Sequence, residues 1–440
     1  MIKKLKQLKN HQGFIKYFSN TSWVLGERIL RMAVGLFVSI WVARYLGPED
    51  FGLLSYSISF VGIFAVIAKF GLDGIIVREL VSKPDKENTL LGTAFLLKFI
   101  GAFIVLVILA IAISFTSSDL QTKTLLFIIA SATVFQSFNT IDLYFQAKVL
   151  SKYVAFSNSI SMLISSSLKI YFILNQFELI YFAYVILFDS ITLALGLLYF
   201  FYRKNKNIFI WKFNYSMAKS LLKDSWPLIL SGVLISINMK IDQVMIKEIL
   251  NNEAVGQYAA AVRLSEAWYF IPMVICASLF PAILNSKNKD RTLYMSRLQN
   301  LYNLMAWMAI AIAIPMSFLS DWTINLLYGE QYKQAGDVLM IHVWTGIFVF
   351  LGQAFNRYLT AENLTRIALY RTALGAISNI FLNYLLIPSY GINGAALATL
   401  TSSFISNYAY DFIDPNLKEQ RRMKTRSLLP FHLIKFKKTL

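Results

Sequence analysis

Apolar and polar positions follow each other in long blocks along this chain: runs of 18 to 25 mainly apolar residues recur from end to end, separated by short polar segments. An α-helix rises about 1.5 Å per residue, so each run can cross a hydrocarbon core of about 30 Å. The pattern predicts an all-α integral membrane protein. The twelve predicted spans are residues 21–44, 51–70, 90–113, 124–146, 152–175, 178–201, 224–246, 254–283, 296–319, 337–360, 365–387 and 391–413.

The segment between the first two spans is a short polar turn, Arg-Tyr-Leu-Gly-Pro-Glu-Asp, at residues 44–50. Gly47-Pro48 ends one helix and frees the backbone for a tight turn. Glu49 and Asp50 then fall near the start of the next helix, where negative charge is favourable. We predict a structural turn that lets the two spans move as one hairpin, with both acidic side chains solvated.

The composition is typical of a membrane protein, and the distribution of charge predicts its orientation. Hydrophobic residues make up 57% of the chain and charged residues 15%, whereas a soluble domain carries about 25% charged residues. With a cytoplasmic N-terminus, the inward segments hold 29 Lys and Arg and the outward turns hold four, which predicts that both termini are cytoplasmic. This asymmetry also accounts for the net charge of +18 without a nucleic-acid partner, because no soluble fold with a basic face is predicted.

Two motifs repeat between the halves of the chain. The pattern L-x-x-E-x-x-G at 46–52 recurs at 250–256, and the segment 144–156 recurs in part at 358–370. Each half holds six predicted spans, an even number, so both halves enter the membrane in the same direction. The sequence therefore predicts two six-helix lobes related by a pseudo-two-fold axis along the membrane normal, with a transport pathway between them.

These patterns divide the chain into five parts. The N-terminal segment is basic and amphipathic and lacks a signal-peptidase site, so it is interpreted as a retained tail. The predicted parts are a cytoplasmic N-tail at 1–20, an N-lobe at 21–201, a cytoplasmic interlobe linker at 202–223, a C-lobe at 224–413 and a basic cytoplasmic C-tail at 414–440.

Four stretches of the chain carry a family signature. They are VARYLGPEDFGLLSYSISFVGIF, GLDGIIVREL, IDQVMIKEILNNEAVGQYAAAVRLSEAWYFIPMVICASLFPAIL and LNYLLIPSYGINGAALATL, in this order along the chain. Together they resemble the Wzx-type polysaccharide flippases, whose superfamily includes the multidrug-and-toxin extruders (MATE proteins) and the lipid II flippase. The resemblance implies a MATE-like fold.

The resemblance also implies a function. Such a flippase turns an undecaprenyl-diphosphate-linked oligosaccharide from the inner to the outer leaflet of the cytoplasmic (inner) membrane, for O-antigen, lipopolysaccharide or another surface polysaccharide. It works by alternating access around a hydrophilic, cationic cavity and uses no cofactor. A polysaccharide polymerase and a chain-length regulator are candidate partners, beside the lipid bilayer itself.

Basic residues inside the predicted spans are the first candidate site residues. A basic side chain at mid-membrane costs about 2.5–3.5 kcal/mol on insertion scales, so it must pair, face water or reach the surface. Arg28, Arg31 and Arg263 are the candidate substrate-binding residues, because guanidinium groups bind a diphosphate through paired planar donors. One alternative stays open for Arg31: Glu27 lies four residues earlier, a spacing that favours an intrahelical ion pair.

Acidic residues inside the spans are candidates for ion coupling. Asp242 follows polar residues along one face of the seventh span, Asp189 lies in the sixth, and Glu266 lies three residues after Arg263. A buried carboxylate among cations can carry a coupling proton or sodium ion, or it can be a fixed counter-ion. The sequence leaves both open.

Other functions fit the chain less well. An enzyme would carry an outward domain for its chemistry, but the largest outward loop is about 320–336, and no nucleotide-binding loop or zinc spacing occurs. An ion-coupled multidrug extruder and a lipid II flippase are the alternatives on the same fold. Nine basic residues within the predicted spans favour an anionic substrate over cationic drugs.

Overall fold

The computed structural model describes residues 12–114, 119–287 and 289–429. Apolar runs with few interruptions form its helices, and short turns and 3-10 segments join them. The α-helices of the described residues are α1 Gln12–Ala68, α2 Asp73–Ser82, α3 Glu87–Ser114, α4 Leu120–Phe135, α5 Thr140–Ala147, α6 Lys152–Leu174, α7 Leu179–Arg203, α8 Tyr215–Ile249, α9 Asn252–Glu266, α10 Phe270–Lys287, α11 Arg291–Tyr328, α12 Ala335–His342, α13 Thr345–Ala361, α14 Thr365–Asn407 and α15 Lys418–Leu428.

The helices confirm the predicted all-α membrane fold. Nine segments of the described chain are long and apolar enough to cross a membrane. Large apolar side chains lie on the outside of these helices, including Phe37, 68% exposed, and Phe318, 85% exposed. Each of the twelve predicted spans falls on helical residues, but α6 is not among the nine segments, and α1 and α14 each contain two predicted spans. The count of twelve stays a prediction.

Two glycines break the longest helices where the sequence predicts a turn between spans. Gly47 in α1 has φ 73° and Gly391 in α14 has φ 58°, both in the left-handed region that glycine adopts without strain. Pro48 follows Gly47 and restarts the helix, since proline is well tolerated in a first turn. The structure thus places the predicted turn of the first hairpin at Gly47.

The longer sequence repeat has the same backbone in both copies. Val149 and Asn363 occupy equivalent positions of 144–156 and 358–370, and each has φ 58°. In both turns the next amide donates to the carbonyl oxygen five residues earlier, at 2.8 Å. This is the bonding that closes a helix C-terminus through a left-handed residue. The two segments therefore form equivalent turns, although few of their residues are identical.

The described chain divides into two compact units. Unit 1 comprises Met1–Tyr45 and Ser57–Ser236, and unit 2 comprises Leu46–Tyr56 and Ile237–Leu440, as far as these ranges are described. Unit 1 therefore ends at Ser236, inside the continuous helix α8, and not in the predicted linker. The lobe limits 21–201 and 224–413 stay predictions.

The predicted linker 202–223 is packed rather than free. Its Lys206 and the nearby Lys148 both pair with Glu87 at 2.8 Å, and the hydrogen bond to Glu87 raises the pKa of Lys206. The amide of Asn214 donates to the Thr93 hydroxyl at 3.1 Å. The second half of the segment is already part of α8.

Both predicted tails contain helical residues among those that the structure describes. The N-tail 1–20 lies outside the described residues up to 11, and α1 begins at Gln12. The C-tail 414–440, described as far as 429, contains α15, whose buried residues Gln420, Met423, Lys424 and Ser427 lie on one face. The basic C-tail therefore includes a packed helix, and its cytoplasmic location stays a prediction.

Candidate functional site

The first candidate site is a polar cavity of about 340 Å³ inside unit 1, lined by Arg28 and Arg31 of α1. Both arginines are exposed on the helix surface, and residues of α5, α6 and α7 form the opposite wall. The other polar residues that line this cavity are Glu27, Asn139, Asp142, Gln146, Ser151 and Asn158.

A second cavity of about 420 Å³ adjoins the first. Asn139, Asp142 and Gln146 line both, so the two form one polar region of unit 1, here called the unit 1 groove. The second cavity adds Lys69 and Lys98. The fold thus brings Arg28 and Arg31 of α1 and Lys98 of α3, which are far apart in sequence, to one polar region among apolar helices.

Two ion pairs neutralise part of this charge. The Nε of Arg31 lies 3.0 Å from Oε1 of the buried Glu27, so the intrahelical pair left open by the sequence is formed. The Arg31 side chain is still 49% exposed and lines the cavity. Lys98, itself buried, pairs with Asp73 at the start of α2.

Arg28, Lys69 and Asp142 are the charged lining residues, among those described, that stand outside these two ion pairs. Asp142 accepts a hydrogen bond from Gln146 at 3.0 Å and interacts electrostatically with Arg28. Two cations beside one carboxylate leave a net positive charge in this polar region, which suits an anionic ligand.

Arg263, the third predicted arginine, lies on α9 in unit 2. Its guanidinium carbon is 5.4 Å from the centre of the Phe51 ring, a cation–π contact. Glu266, one turn later, interacts electrostatically with Lys240, Asp242 and Arg263. The structure therefore brings Arg28 and Arg31 together in unit 1 and gives Arg263 its own charged surroundings in unit 2.

Asp242 is buried in unit 2, with 4% of its surface exposed. Its Oδ2 accepts hydrogen bonds from the Tyr258 hydroxyl at 2.8 Å and the Thr399 hydroxyl at 2.6 Å, and its Oδ1 accepts one from the Asn383 amide at 2.6 Å. These donors compensate the burial of the carboxylate. The hydroxyl oxygens of Tyr258 and Thr399 also have lone pairs. Together with the Asp242 carboxylate they are suitable ligands for a proton or a small hard cation.

The surroundings of Asp189 suit a structural role better than an ion site. It lies half-buried on α7, and its Oδ1 and backbone carbonyl both accept from the Ser161 hydroxyl of α6 at 2.8 Å. Ser161 also lies 2.7 Å from the Thr192 hydroxyl. This group ties α6 to α7. Of the acidic candidates, Asp242 has the surroundings that best suit an exchangeable ion.

Leu46–Tyr56 packs on the start of α9 in what we call the hairpin contact. A β-carbon at Gly52 would overlap the backbone carbonyl oxygen of Asn252, and one at Gly256 would overlap that of Pro48. Gly52 and Gly256 are equivalent positions of the shorter sequence repeat. The repeated glycine therefore allows two backbones to approach directly, as small residues do where membrane helices cross.

Side chains reinforce the hairpin contact. The fully buried Tyr56 donates to Oε1 of Glu248 at 3.2 Å, and the ammonium of Lys247 lies 4.4 Å from the centre of its ring. Glu49 is exposed, as predicted, whereas Asp50 is half-buried. The sequence analysis found the turn but missed that the residues after it are part of unit 2 and pack on α9.

Sequence reasoning also missed Asp73 and Asp142. Asp142 carries a recognisable signal, because a carboxylate inside the apolar run 124–146 is costly unless it faces water or a partner. Asp73 has none, since only the folded chain shows that Lys98 reaches it.

These features define a multi-pass helical membrane protein with polar cavities among apolar helices, an arrangement typical of transporters. A family model described as "Polysaccharide biosynthesis protein" matches residues 18–287, and one described as "MatE" matches residues 227–385. The first match covers more than half of the chain. The protein belongs to the polysaccharide biosynthesis protein family, as the resemblance in sequence predicted.

Similarity to individual proteins is consistent with this family. The probable low-salt glycan biosynthesis flippase Agl15 of Haloferax volcanii is 24% identical over 376 residues, 82% of this chain and 75% of the relative. The lipid II flippase MurJ in an inward closed conformation is 18% identical, with a TM-score of 0.69 over 94% of this chain and 92% of MurJ. An inward-facing MATE family multidrug resistance transporter is 15% identical, with a TM-score of 0.67 over 90% and 95%. The two solved structures show a shared fold and confirm the predicted MATE-like architecture.

Proposed function

We propose that this protein is a flippase that moves a lipid-linked oligosaccharide from the inner to the outer leaflet by alternating access, without catalysing a covalent step. In the finer form of the proposal the carrier is undecaprenyl diphosphate and the membrane is the cytoplasmic (inner) membrane. The glycan then enters O-antigen, lipopolysaccharide or another surface polysaccharide. A polymerase and a chain-length regulator would act on the flipped product.

The positive excess of the unit 1 groove carries this proposal. Arg28 offers planar paired donors to a diphosphate, and Lys69 adds a second cation to the same region. Arg31 contributes through the part of its guanidinium that faces the cavity, while Glu27 holds its Nε. Arg263 has the same role in unit 2. The name of the Agl15 relative, a glycan biosynthesis flippase, supports the same class of substrate.

The hairpin contact suggests how access alternates. Leu46–Tyr56 belongs to unit 2, although the chain on both sides of it belongs to unit 1. We propose that this contact closes the outward end of the pathway and breaks when the glycan leaves. At Gly52 and Gly256 the two backbones meet directly, so this part of the contact can open and close without the rearrangement of a side chain.

Two rival functions share the fold. A multidrug extruder carries cationic amphiphiles and would require an acidic cavity, which the charges of the unit 1 groove oppose. A lipid II flippase would act on the same diphosphate carrier with a different glycan. Depletion of the protein in its host, followed by analysis of lipid-linked intermediates, separates the three. The proposal expects an oligosaccharide-linked carrier to accumulate on the inner leaflet, with drug tolerance and lipid II flipping unchanged.

Orientation provides a direct prediction. Reporter fusions after Asn205, in the turn beyond α7, are expected to be cytoplasmic, and fusions after Gly329, beyond α11, to be outward. Asn288 and Ser117, which lie outside the described residues, form a second pair, cytoplasmic and outward respectively. A cytoplasmic signal at Gly329 would overturn the span count in the second half.

Asp242 is the residue expected to couple transport to an ion gradient. Asp242→Asn keeps the shape of the side chain but removes the charge that binds a proton or cation, so stimulation of transport by an imposed H⁺ or Na⁺ gradient should vanish in proteoliposomes. Asp189→Asn is the matched control, because that carboxylate ties α6 to α7, and it should keep the stimulation. Gradient-driven transport that survives in Asp242→Asn would exclude the coupling role.

A further inference from the structure

A basic groove runs along α15 in unit 2. It is a cavity of about 1330 Å³ between α15, the first turns of α11 and the residues that follow α14. Basic residues dominate the charged groups that line it in the described chain: Lys418, Arg421, Arg422 and Arg426, with Glu419 as the acidic member. Glu419 also lies 4.0 Å from Arg291 outside the groove, and the four basic residues outnumber it.

The buried side of α15 holds the helix in place. The ammonium of Lys424 donates to Oδ2 of Asp411 at 2.7 Å and to the carbonyl oxygen of Asn407 at 2.8 Å, and both charged side chains are fully buried. On the same side, the Tyr302 hydroxyl donates to Gln420 at 2.8 Å. A helix anchored in this way presents its other face in a fixed orientation.

That other face carries a stripe of positive charge. Lys418, Arg422 and Arg426 are spaced by four residues, so they lie one above another, and all three are exposed. Like charges at this spacing destabilise a helix. A bound anion would remove this repulsion. Arg421 adds a fourth cation, with its guanidinium 4.7 Å from the centre of the Phe412 ring.

The rim of the groove is apolar at Phe412, one of its lining residues. Phe412 ends a segment that is long and apolar enough to cross a membrane, and it is 58% exposed; the next residue, Ile413, is 69% exposed. The groove therefore lies where an apolar helix ends and a basic helix begins, the position at which lipid headgroups meet protein. A ligand that fills it needs a negative head and an apolar body.

We propose that the groove along α15 binds an anionic phospholipid, with its phosphate on Arg422 and Arg426 and its glycerol and upper acyl carbons against Phe412 and Ile413. Arginine suits this role because its planar fork bonds two phosphate oxygens at once. The site is separate from the transported lipid and would exist whatever glycan is carried. Free phosphate shares the headgroup chemistry but has nothing to place on the apolar rim.

Native mass spectrometry of the purified full-length protein tests this. Phosphatidylglycerol should bind more tightly than phosphatidylcholine of the same chains, and Arg422→Gln with Arg426→Gln should weaken its binding by about 10- to 30-fold, because each basic residue near a lipid surface contributes roughly fivefold. Lys219→Gln with Lys223→Gln is the control. It removes two exposed charges at the same spacing from the start of α8 and should leave binding unchanged.

The proposal fails if both double variants lose phosphatidylglycerol equally, or if neither does. It also fails if inorganic phosphate displaces the lipid at equal concentration, since the site would then recognise phosphate alone. The changed residues lie on the exposed face, so the Lys424–Asp411 pair remains. Should the first variant be poorly folded by its melting temperature, Lys418→Gln with Arg422→Gln tests the same stripe.

Discussion

Alanine at Gly52 or Gly256 is expected to abolish glycan export while the protein still reaches the membrane. At either position a β-carbon would overlap a backbone carbonyl oxygen, and at Gly52 it would also lie 2.7 Å from the amide nitrogen of Gly256. Backbone atoms cannot turn aside as a flexible side chain can. The hairpin contact must therefore open, and under the proposed mechanism a pathway that cannot close at its outward end cannot alternate.

A matched glycine separates this effect from general damage. Gly346 is a buried helical glycine of unit 2 whose added β-carbon would meet its nearest atom, on Tyr269, at 3.9 Å, an ordinary contact. Gly346→Ala should leave export near the level of the unchanged protein. Export and membrane abundance are measured together. Normal export in both Gly52→Ala and Gly256→Ala would show that the hairpin contact has no part in transport.

The second large effect is expected at Arg28. Replacing it with alanine removes the proposed charge-assisted contact to the diphosphate, worth about 1.5–3 kcal/mol if fully used, which corresponds to roughly 10- to 150-fold in affinity. Lysine keeps the charge but loses the planar fork, so Arg28→Lys should fall between the two. Arg78→Ala, which removes an exposed arginine that pairs with Glu79 away from the groove, is the control.

Arg31 requires a different design because of its ion pair. Arg31→Ala alone leaves the buried Glu27 unpaired, so protein abundance is expected to fall together with export. Removing both side chains, with Glu27→Ala and Arg31→Ala, should restore abundance but not export if Arg31 also binds substrate. Recovery of export in the double variant would reduce Arg31 to a structural partner of Glu27 and leave Arg28 as the arginine of the unit 1 groove.

Local signals in the sequence predicted much of this molecule. Apolar runs located the helices, Gly47-Pro48 located the first turn, and the repeat at 144–156 and 358–370 proved to be the same left-handed turn. The Glu27–Arg31 pair was predictable because it lies within one helix, where a spacing of four residues fixes the distance.

Features that depend on distant residues were not predictable. Asp242 gains its partners from Tyr258, Asn383 and Thr399, which are as much as 157 positions away. The docking of α15 depends on a buried lysine, and a lysine in a basic segment is normally assumed to be solvated. The repeat marks Gly52 and Gly256 as equivalent, but it does not reveal that each packs on the backbone beside the other.

The most direct test of the proposed function is a flipping assay in proteoliposomes that hold the purified protein and a fluorescent oligosaccharide linked to undecaprenyl diphosphate. A membrane-impermeant reagent reports the fraction of glycan on each leaflet over time. The unchanged protein should move the glycan between leaflets faster than protein-free vesicles do, and Arg28→Ala should slow this movement at least tenfold. Transfer no faster than in protein-free vesicles, from protein that is folded and correctly inserted, would contradict the account.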